Sequence, residues 1–383
     1  MQTDAAIDRS LQPETVEGLR EVLLGTEGPV LVCGAGRHLS FGNPGGPFAA
    51  TISTRRLNRI LHYEPADLTI AVEAGATVAE VNRTLAEHHQ ILPIDTPFPE
   101  VTTIGGLFAT GLGGPRRNRY LSLRDWTLGV EVMAPDGVVT KSGGMVVKNV
   151  TGFDLPRLHH GAHGAFGIVT RVNLKVVPRE ESSRSIVVRY ASAADAHAAA
   201  LAVLGSQLEP ASVVVAWNND WTLAVTCDGP LSSIDWQANA ILELATSIAE
   251  PGDSQVSEGS AGGLASFLTV MNLSSDRAVA RLSVPASGQL ECLEQLSRIT
   301  GNQAVADPGA GLIYTSGIPS LEWRTAMQHI SPNVTFLSLP DDLKDGIDVF
   351  GPLDPISARL IRNLKQEFDP TGKLNRGRFV LGI

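Results

Sequence analysis

Apolar positions recur along the chain with two periods. Residues 14–24 place Val16, Leu19, Val22 and Leu23 on one side of a 3.6-residue repeat, which predicts an amphipathic helix. Apolar runs at 29–33, 49–53 and 68–73 predict short buried strands. Thr77 and Glu80 stand at capping-box spacing, and Val78, Val81 and Leu85 give the helix behind them an apolar face. Residues 124–133 predict a strand that Asp136-Gly137 turns back through 138–140. A further strand is expected over 167–177, closed by Pro178.

Beyond Pro178 the pattern changes. The charged stretch 179–184 reads as a linker. A strand at 186–190, an Ala-rich helix at 193–204, strands at 213–217 and 222–226 and a helix at 234–249 follow. After a Gly/Ser-rich loop at 251–263 the order recurs: strand 278–284, helix 289–299, strands 303–306 and 312–314, helix 321–330. Two β-α-β-β-α units predict a duplicated split-βαβ domain, ferredoxin-like in architecture. A last helix at 355–368 runs into a polar loop with two arginines, Arg376 and Arg378, placed to return to a site. The fold class expected is α+β.

Composition narrows the function classes. With 383 residues, two or three domains are expected, and a hydrophobic fraction of 43% supplies ample core. A formal net charge of −10 argues against nucleic acid or an anionic membrane as partner. Cys33, Cys227 and Cys292 form no C-x-x-C pair, so neither a zinc ribbon nor an iron–sulfur pattern is supported, and a reducing, cytoplasmic setting is expected. The N-terminal residues do not read as a signal peptide and no stretch approaches a membrane span, so any membrane link is expected to run through partners.

The 38 glycines exceed the usual ~7%, and they crowd between Gly34 and Gly167. A Rossmann loop is the first thing to test. Gly34 and Gly36 fit G-x-G-x-x-G, but Leu39 stands at the third glycine, and residues 42–47, Gly-Asn-Pro-Gly-Gly-Pro, cannot propagate a helix. The loop therefore reads as an anion cradle of backbone N–H groups without a helix. Similar glycine stretches recur at 102–106, 111–117 and 161–170, as though one extended ligand, with a diphosphate, passed many close backbone approaches. His159, His160 and His163 invite a metal reading. Gly161 and Gly164 interrupt any helix there and no carboxylate or cysteine follows closely, so a solvated or partner-facing edge is the expected role.

Taken in order, the stretches at 32–36, 103–106, 114–117, 124–125, 147–158, 161–170 and 368–375 resemble the vanillyl-alcohol-oxidase-type (PCMH) FAD-binding family. Within it, the chain resembles the smaller FAD-binding subunits of bacterial glycolate oxidases. The resemblance covers about 15–178 and 355–383. It implies an FAD-binding PCMH-type domain at 1–180, an α+β cap domain at 185–345 and a C-terminal helix and tail, 350–383, returning to the FAD domain. By that likeness Gly34, Ala35, Gly36, Arg37 and His38 cradle the FAD pyrophosphate and Gly42 closes the loop. Thr102, Thr103, Gly105 and Gly106 lie along the diphosphate and ribityl chain, with Arg116 and Arg117 as diphosphate or partner contacts. Gly164, Gly167, Ile168 and Val169 approach through their backbones, and Asn375 and Arg378 come from the tail towards the flavin ring.

The chain also departs from the family. Ala35 replaces a loop glycine, which requires a negative φ there. Arg37 stands where relatives with covalently joined flavin carry histidine, so non-covalent FAD is expected. Ala162 replaces a usual serine. Lys148 and Asn149 are candidates for ordering the loop over the flavin.

Catalytic relatives carry a His-rich motif in their second domain. Here only His197 and His329 follow His163, and neither has suitable neighbours. The resemblance therefore implies an FAD-binding subunit of a glycolate-oxidase-like complex, taking part in oxidation of a small 2-hydroxy acid such as glycolate or D-lactate. Its partners would be a catalytic flavoprotein subunit and an iron–sulfur subunit. An autonomous dehydrogenase and a non-catalytic assembly subunit remain the alternatives, and the catalytic base is not identified.

Overall fold

The capping box closes as a reciprocal cap. Thr77 Oγ1 accepts from the Glu80 N–H at 3.1 Å and Glu80 Oε2 accepts from the Thr77 N–H at 2.9 Å, which starts the helix Val78–Ala86. Val78, Val81 and Leu85 are its buried side, as the spacing requires. The computed structural model in which this is seen describes residues 10–145, 153–259, 261–272 and 276–383. Lys148 and Asn149 lie outside the described residues.

The chain divides into two units. The first joins Met1–Gly113, Ser122–Arg179 and Gly346–Ile383; the second joins Gly114–Leu121 and Glu180–Asp345. In the first, strand Val30–Cys33 runs parallel to Ala50–Ser53. A separate antiparallel sheet has the order Ile60–Glu64, Thr69–Glu73, Ile168–Lys175, Thr127–Met133, Val139–Gly143. The core formed by Leu19, Leu23, Val30, Ile52, Leu57, Met133, Ile168 and Leu374 ties the first helix, both sheets and the C-terminal tail together.

Local chemistry explains three differences from the sequence pattern. Residues 124–126 are not strand: Ser122 and Asp125 form a second capping box, so Leu123–Trp126 is a helical turn and the strand begins at Thr127. The glycine stretch after Thr103 is a helix, Ile104–Thr110, because Thr103 caps it and Ile104, Leu107 and Phe108 are buried at helical spacing. Ile60–Glu64 is a strand without alternation because it is an exposed edge.

In the second unit, the described residues form an eight-stranded antiparallel sheet. Strands Ser182–Tyr190, Ser212–Trp217, Trp221–Gly229 and Asp253–Glu258 make one half; Ala278–Ser283, Gln303–Asp307, Leu312–Gly317 and Val334–Ser338 make the other. Each half reads β-α-β-β-α-β with its first strand between its third and fourth. The halves meet where Ser212–Trp217 pairs with Gln303–Asp307. The duplication expected from the pattern is present, with a fourth strand in each half that the pattern did not reveal. Asp253–Glu258 looked like loop because it is a polar, largely exposed edge strand. The charged stretch at 179–184 likewise already contains the start of a strand, at Ser182.

Candidate functional site: a glycine-lined cleft in the first unit

Strand Val30–Cys33 ends in Gly34-Ala-Gly36, and the chain there opens a cleft. Val32 to Leu39, Thr102 and Thr103, Gly105 and Gly106, Gly164, Gly167 to Val169, Asn375 and Arg378 line it. The N–H groups of Gly34, Ala35, Gly36, Arg37 and His38 donate no hydrogen bond among the described residues. Five successive unpaired donors along the wall of a cleft form a cradle for anionic oxygens. Gly36 is left-handed at φ +73° and Ala35 is not, which is the backbone Ala35 needs. This row of donors fits a diphosphate.

The two walls approach closely at Gly34. A Cβ there would lie 2.1 Å from Thr103 Oγ1, so glycine is required. Thr102 and Thr103 line the cleft, but their hydroxyls serve the protein. Thr102 Oγ1 donates to the Pro97 carbonyl at 2.8 Å, and Thr103 Oγ1 accepts from the Gly106 N–H at 3.1 Å.

The tail holds the site. Asn375 Oδ1 accepts from the Val32 N–H at 2.6 Å, and its Nδ2 donates to the His163 carbonyl at 2.7 Å. One buried amide thus joins the first strand to the Gly161–Gly167 loop. Beneath it, Lys365 Nζ donates to the Ala165 carbonyl at 2.8 Å, the Leu374 carbonyl at 3.0 Å and Asp369 Oδ2 at 2.7 Å. Burial lowers the Lys365 pKa, and the hydrogen bond and charge of Asp369 oppose that shift. Arg378 Nη2 donates to the Leu39 and Phe41 carbonyls at 2.6 and 2.9 Å, bracing the loop around the cleft. Gly42 does not line the cleft; at φ +119° it passes the Arg378 carbonyl, where a Cβ would come within 2.8 Å.

Arg37 is exposed and its guanidinium lies 3.9 Å from the Phe98 ring centroid, a cation–π contact at the rim. His38 lines the cleft, but both ring nitrogens are shut off from solvent without a partner. Burial first, and the Arg37 charge second, push its pKa down to about 4, so it is neutral. Burial pushes the Cys33 thiol up to about 11, leaving it a protonated thiol at neutral pH.

Arg116 and Arg117, expected beside the diphosphate, do not line the cleft. Both belong to Gly114–Leu121 of the second unit, where the Arg117 charge acts on buried Asp307 and Tyr314. The three neighbouring histidines meet different aromatic surroundings: His159 faces Phe368, His160 faces Phe108, and His163 faces Phe41 and Phe350. Among the described residues no group of three His, Cys, Asp or Glu could hold a metal. Sequence reasoning did not single out Leu39, Val101, Ala109 or Thr110, which also line the cleft. The helical spacing of Ile104, Leu107 and Phe108 was the signal that could have found the last two.

A glycine-lined cradle of free backbone donors beside an antiparallel sheet is an arrangement that can hold the diphosphate of a dinucleotide cofactor. Residues 8–143 match the family described as FAD binding domain; this part of the chain is an FAD-binding domain, and FAD is the cofactor. Among curated relatives, the chain is 35% identical over 159 residues to the glycolate oxidase subunit GlcE of Escherichia coli, covering 41% of this chain and 45% of that protein. It is 28% identical over 185 residues to the glycolate oxidase subunit GlcD of Bacillus subtilis, covering 48% and 39%. It is 31% identical over 144 residues to a D-lactate dehydrogenase of Anaerostipes hadrus, covering 38% and 30%. The chain spans less than half the length of these curated relatives. Among solved structures, an alkyldihydroxyacetonephosphate synthase superposes with a TM-score of 0.68 at 16% identity, over 95% of this chain and 76% of that one, a likeness of fold. Among the described residues no helix is long and apolar enough to cross a membrane.

Proposed function

We propose that this protein is the FAD-binding component of a system that oxidises a small 2-hydroxy acid, glycolate or D-lactate, and passes the electrons to a partner. The observation that carries the reading is the row of unpaired N–H groups from Gly34 to His38 in a matched FAD-binding domain whose relatives are named for glycolate oxidase and D-lactate dehydrogenase. Bound in the cleft without a covalent link, FAD supplies an acceptor for the hydride of the alcohol carbon. The residues of this chain hold it. Gly34 to His38 donate to the diphosphate, Gly164 to Val169 and Asn375 set the opposite wall, and Arg378 fixes the loop that closes the cradle. The electron acceptor is a catalytic flavoprotein subunit with an iron–sulfur subunit, in keeping with the two subunit names and with the absence of a cysteine cluster from the sequence.

The test is the visible spectrum of the chain expressed alone and then mixed anaerobically with glycolate or D-lactate. A yellow protein that is reduced only after a partner subunit is added supports the reading. Bleaching by the acid alone makes it a self-sufficient dehydrogenase. A protein that takes up no FAD overturns the proposal.

A further inference from the structure

A second cavity lies in the first unit and shares no lining residue with the glycine-rich cleft. Strand Thr127–Met133 builds its floor. Val130 and Val132 alternate onto one face, with Ala134 just past the strand end. The register with Val139–Gly143 sets Ser142 opposite Val130 and Thr140 opposite Val132, on that same face. Helix Leu155–His159 supplies Leu155 and His159, four residues apart and so on one side of it. Phe166 and Phe368, with ring centroids 6.2 Å apart, complete the wall. The space between them is about 40 Å³, against the ~10–15 Å³ that one water needs.

His159 is the deep polar group of this cavity. It is 5% exposed, and its ring has no hydrogen bond or ion pair among the described residues. The ring stands edge-on to Phe368 at 6.1 Å. Burial alone pushes its pKa down to about 4, so the imidazole is neutral and offers one N–H donor and one bare nitrogen acceptor. Leaving both unanswered inside the protein is costly. Ser142 Oγ is already used as a donor, to the Phe153 carbonyl at 3.1 Å. The rest of the lining is hydrocarbon apart from the Thr140 hydroxyl, and no charged side chain borders the space. Water answers the imidazole but not these walls, and a buried water needs about two to four polar partners. An ion would meet no counter-charge. The arrangement fits a small uncharged molecule, mostly hydrocarbon, that carries one hydroxyl.

We infer that the cavity between strand Thr127–Met133 and helix Leu155–His159 is a binding site for a small uncharged alcohol, whose hydroxyl bonds the His159 imidazole and whose hydrocarbon part meets Phe166 and Phe368. The site stands apart from the oxidation proposed above: it requires neither flavin reduction nor a partner subunit.

The test is an NMR titration of the full FAD-loaded chain, its cleft occupied by the cofactor, with cyclopentanol and separately with cyclopentane and cyclopentanecarboxylate. Cyclopentanol is expected to bind saturably. The other two are expected to bind at least about tenfold more weakly, one for want of a hydroxyl and the other for want of a counter-charge. The imidazole nitrogen signals that disappear in His159→Leu are expected to shift as cyclopentanol is added. His159→Leu should weaken cyclopentanol by about tenfold and bring it level with cyclopentane. Ala134→Leu, which fills the space and leaves the imidazole in place, should abolish binding, and it carries the test if His159→Leu fails to melt cooperatively. No saturable binding, the result for a cavity that holds water only, overturns the inference. So does cyclopentanol binding that Ala134→Leu leaves untouched, or cyclopentane or the carboxylate binding the unaltered chain as tightly as the alcohol.

Discussion

Gly34 and Thr103 stand closer than a methyl group allows. Gly34→Ala would place a Cβ 2.1 Å from the Thr103 hydroxyl, forcing the cradle away from the helix Ile104–Thr110. The expected outcome is an FAD affinity lowered by about tenfold or more, read by flavin fluorescence on titration of the stripped protein. Glycine at this position was legible in the sequence, whereas the neighbour that demands it was not, because Thr103 lies far along the chain. Arg117 teaches the opposite lesson. It stands in a run of arginines beside glycines, which looks like phosphate chemistry, and it faces Asp307 and Tyr314 instead.

Titration is argued at the same scale. Burial, with Arg37 as a second cause for His38, puts both His38 and His159 at about 4, below their ordinary value near 6.5. The unfolded chain then takes up protons before the folded one. The first unit is expected to lose stability as pH falls from ~6.5 towards ~4. Asp307, raised to about 6, works the other way: its folded form binds the proton more tightly, so the second unit loses stability as pH rises from ~3.9 to ~6. Melting temperature against pH checks both, and His159→Leu should flatten the acid limb of the first.

At the scale of elements, the C-terminal helix positions the cleft from below. Asp354 caps Pro355–Phe368 through the Ile356 and Ser357 N–H groups. The helix at 355–368 was readable in the sequence; its Asp354 cap was seen only in the structure. Nothing in the sequence marks Lys365 out from the other charges on that helix. Only in the fold does it become a buried ammonium with Asp369 and two carbonyls as partners. Lys365→Met is expected to cost about 3–5 kcal/mol in denaturant unfolding, because Asp369 would stay buried without its counter-charge. Asn375→Ala, which removes both side-chain bonds joining the two walls, should lower stability by about 1–3 kcal/mol per buried group left unsatisfied and weaken FAD binding with it.

At the scale of the whole molecule, the chain divides into two units, and the residues lining the glycine-rich cleft all belong to the first. Scanning calorimetry is expected to show two transitions, with added FAD raising only the one that belongs to the first unit, as linkage requires of a ligand that binds one folded unit. A single transition, or an equal shift of both, would contradict that division. The edge strands were the part of this architecture the pattern missed. Asp253–Glu258 carries no apolar alternation because an edge strand facing water has little to bury.

The sequence by itself determined the local features: the Thr77–Glu80 capping box, the duplicated β-α-β-β-α order, the glycines at the end of the first strand and a tail rich in loop chemistry. Each depends on residues within a few positions of one another, where backbone sterics and side-chain period suffice. The tertiary structure alone decided which glycine stretch faces which partner, that Asn375 joins Val32 to His163, and that Lys365 is buried against Asp369. Those contacts cross long stretches of chain. They follow from how buried apolar faces bring distant backbone into register, which no spacing along the chain records.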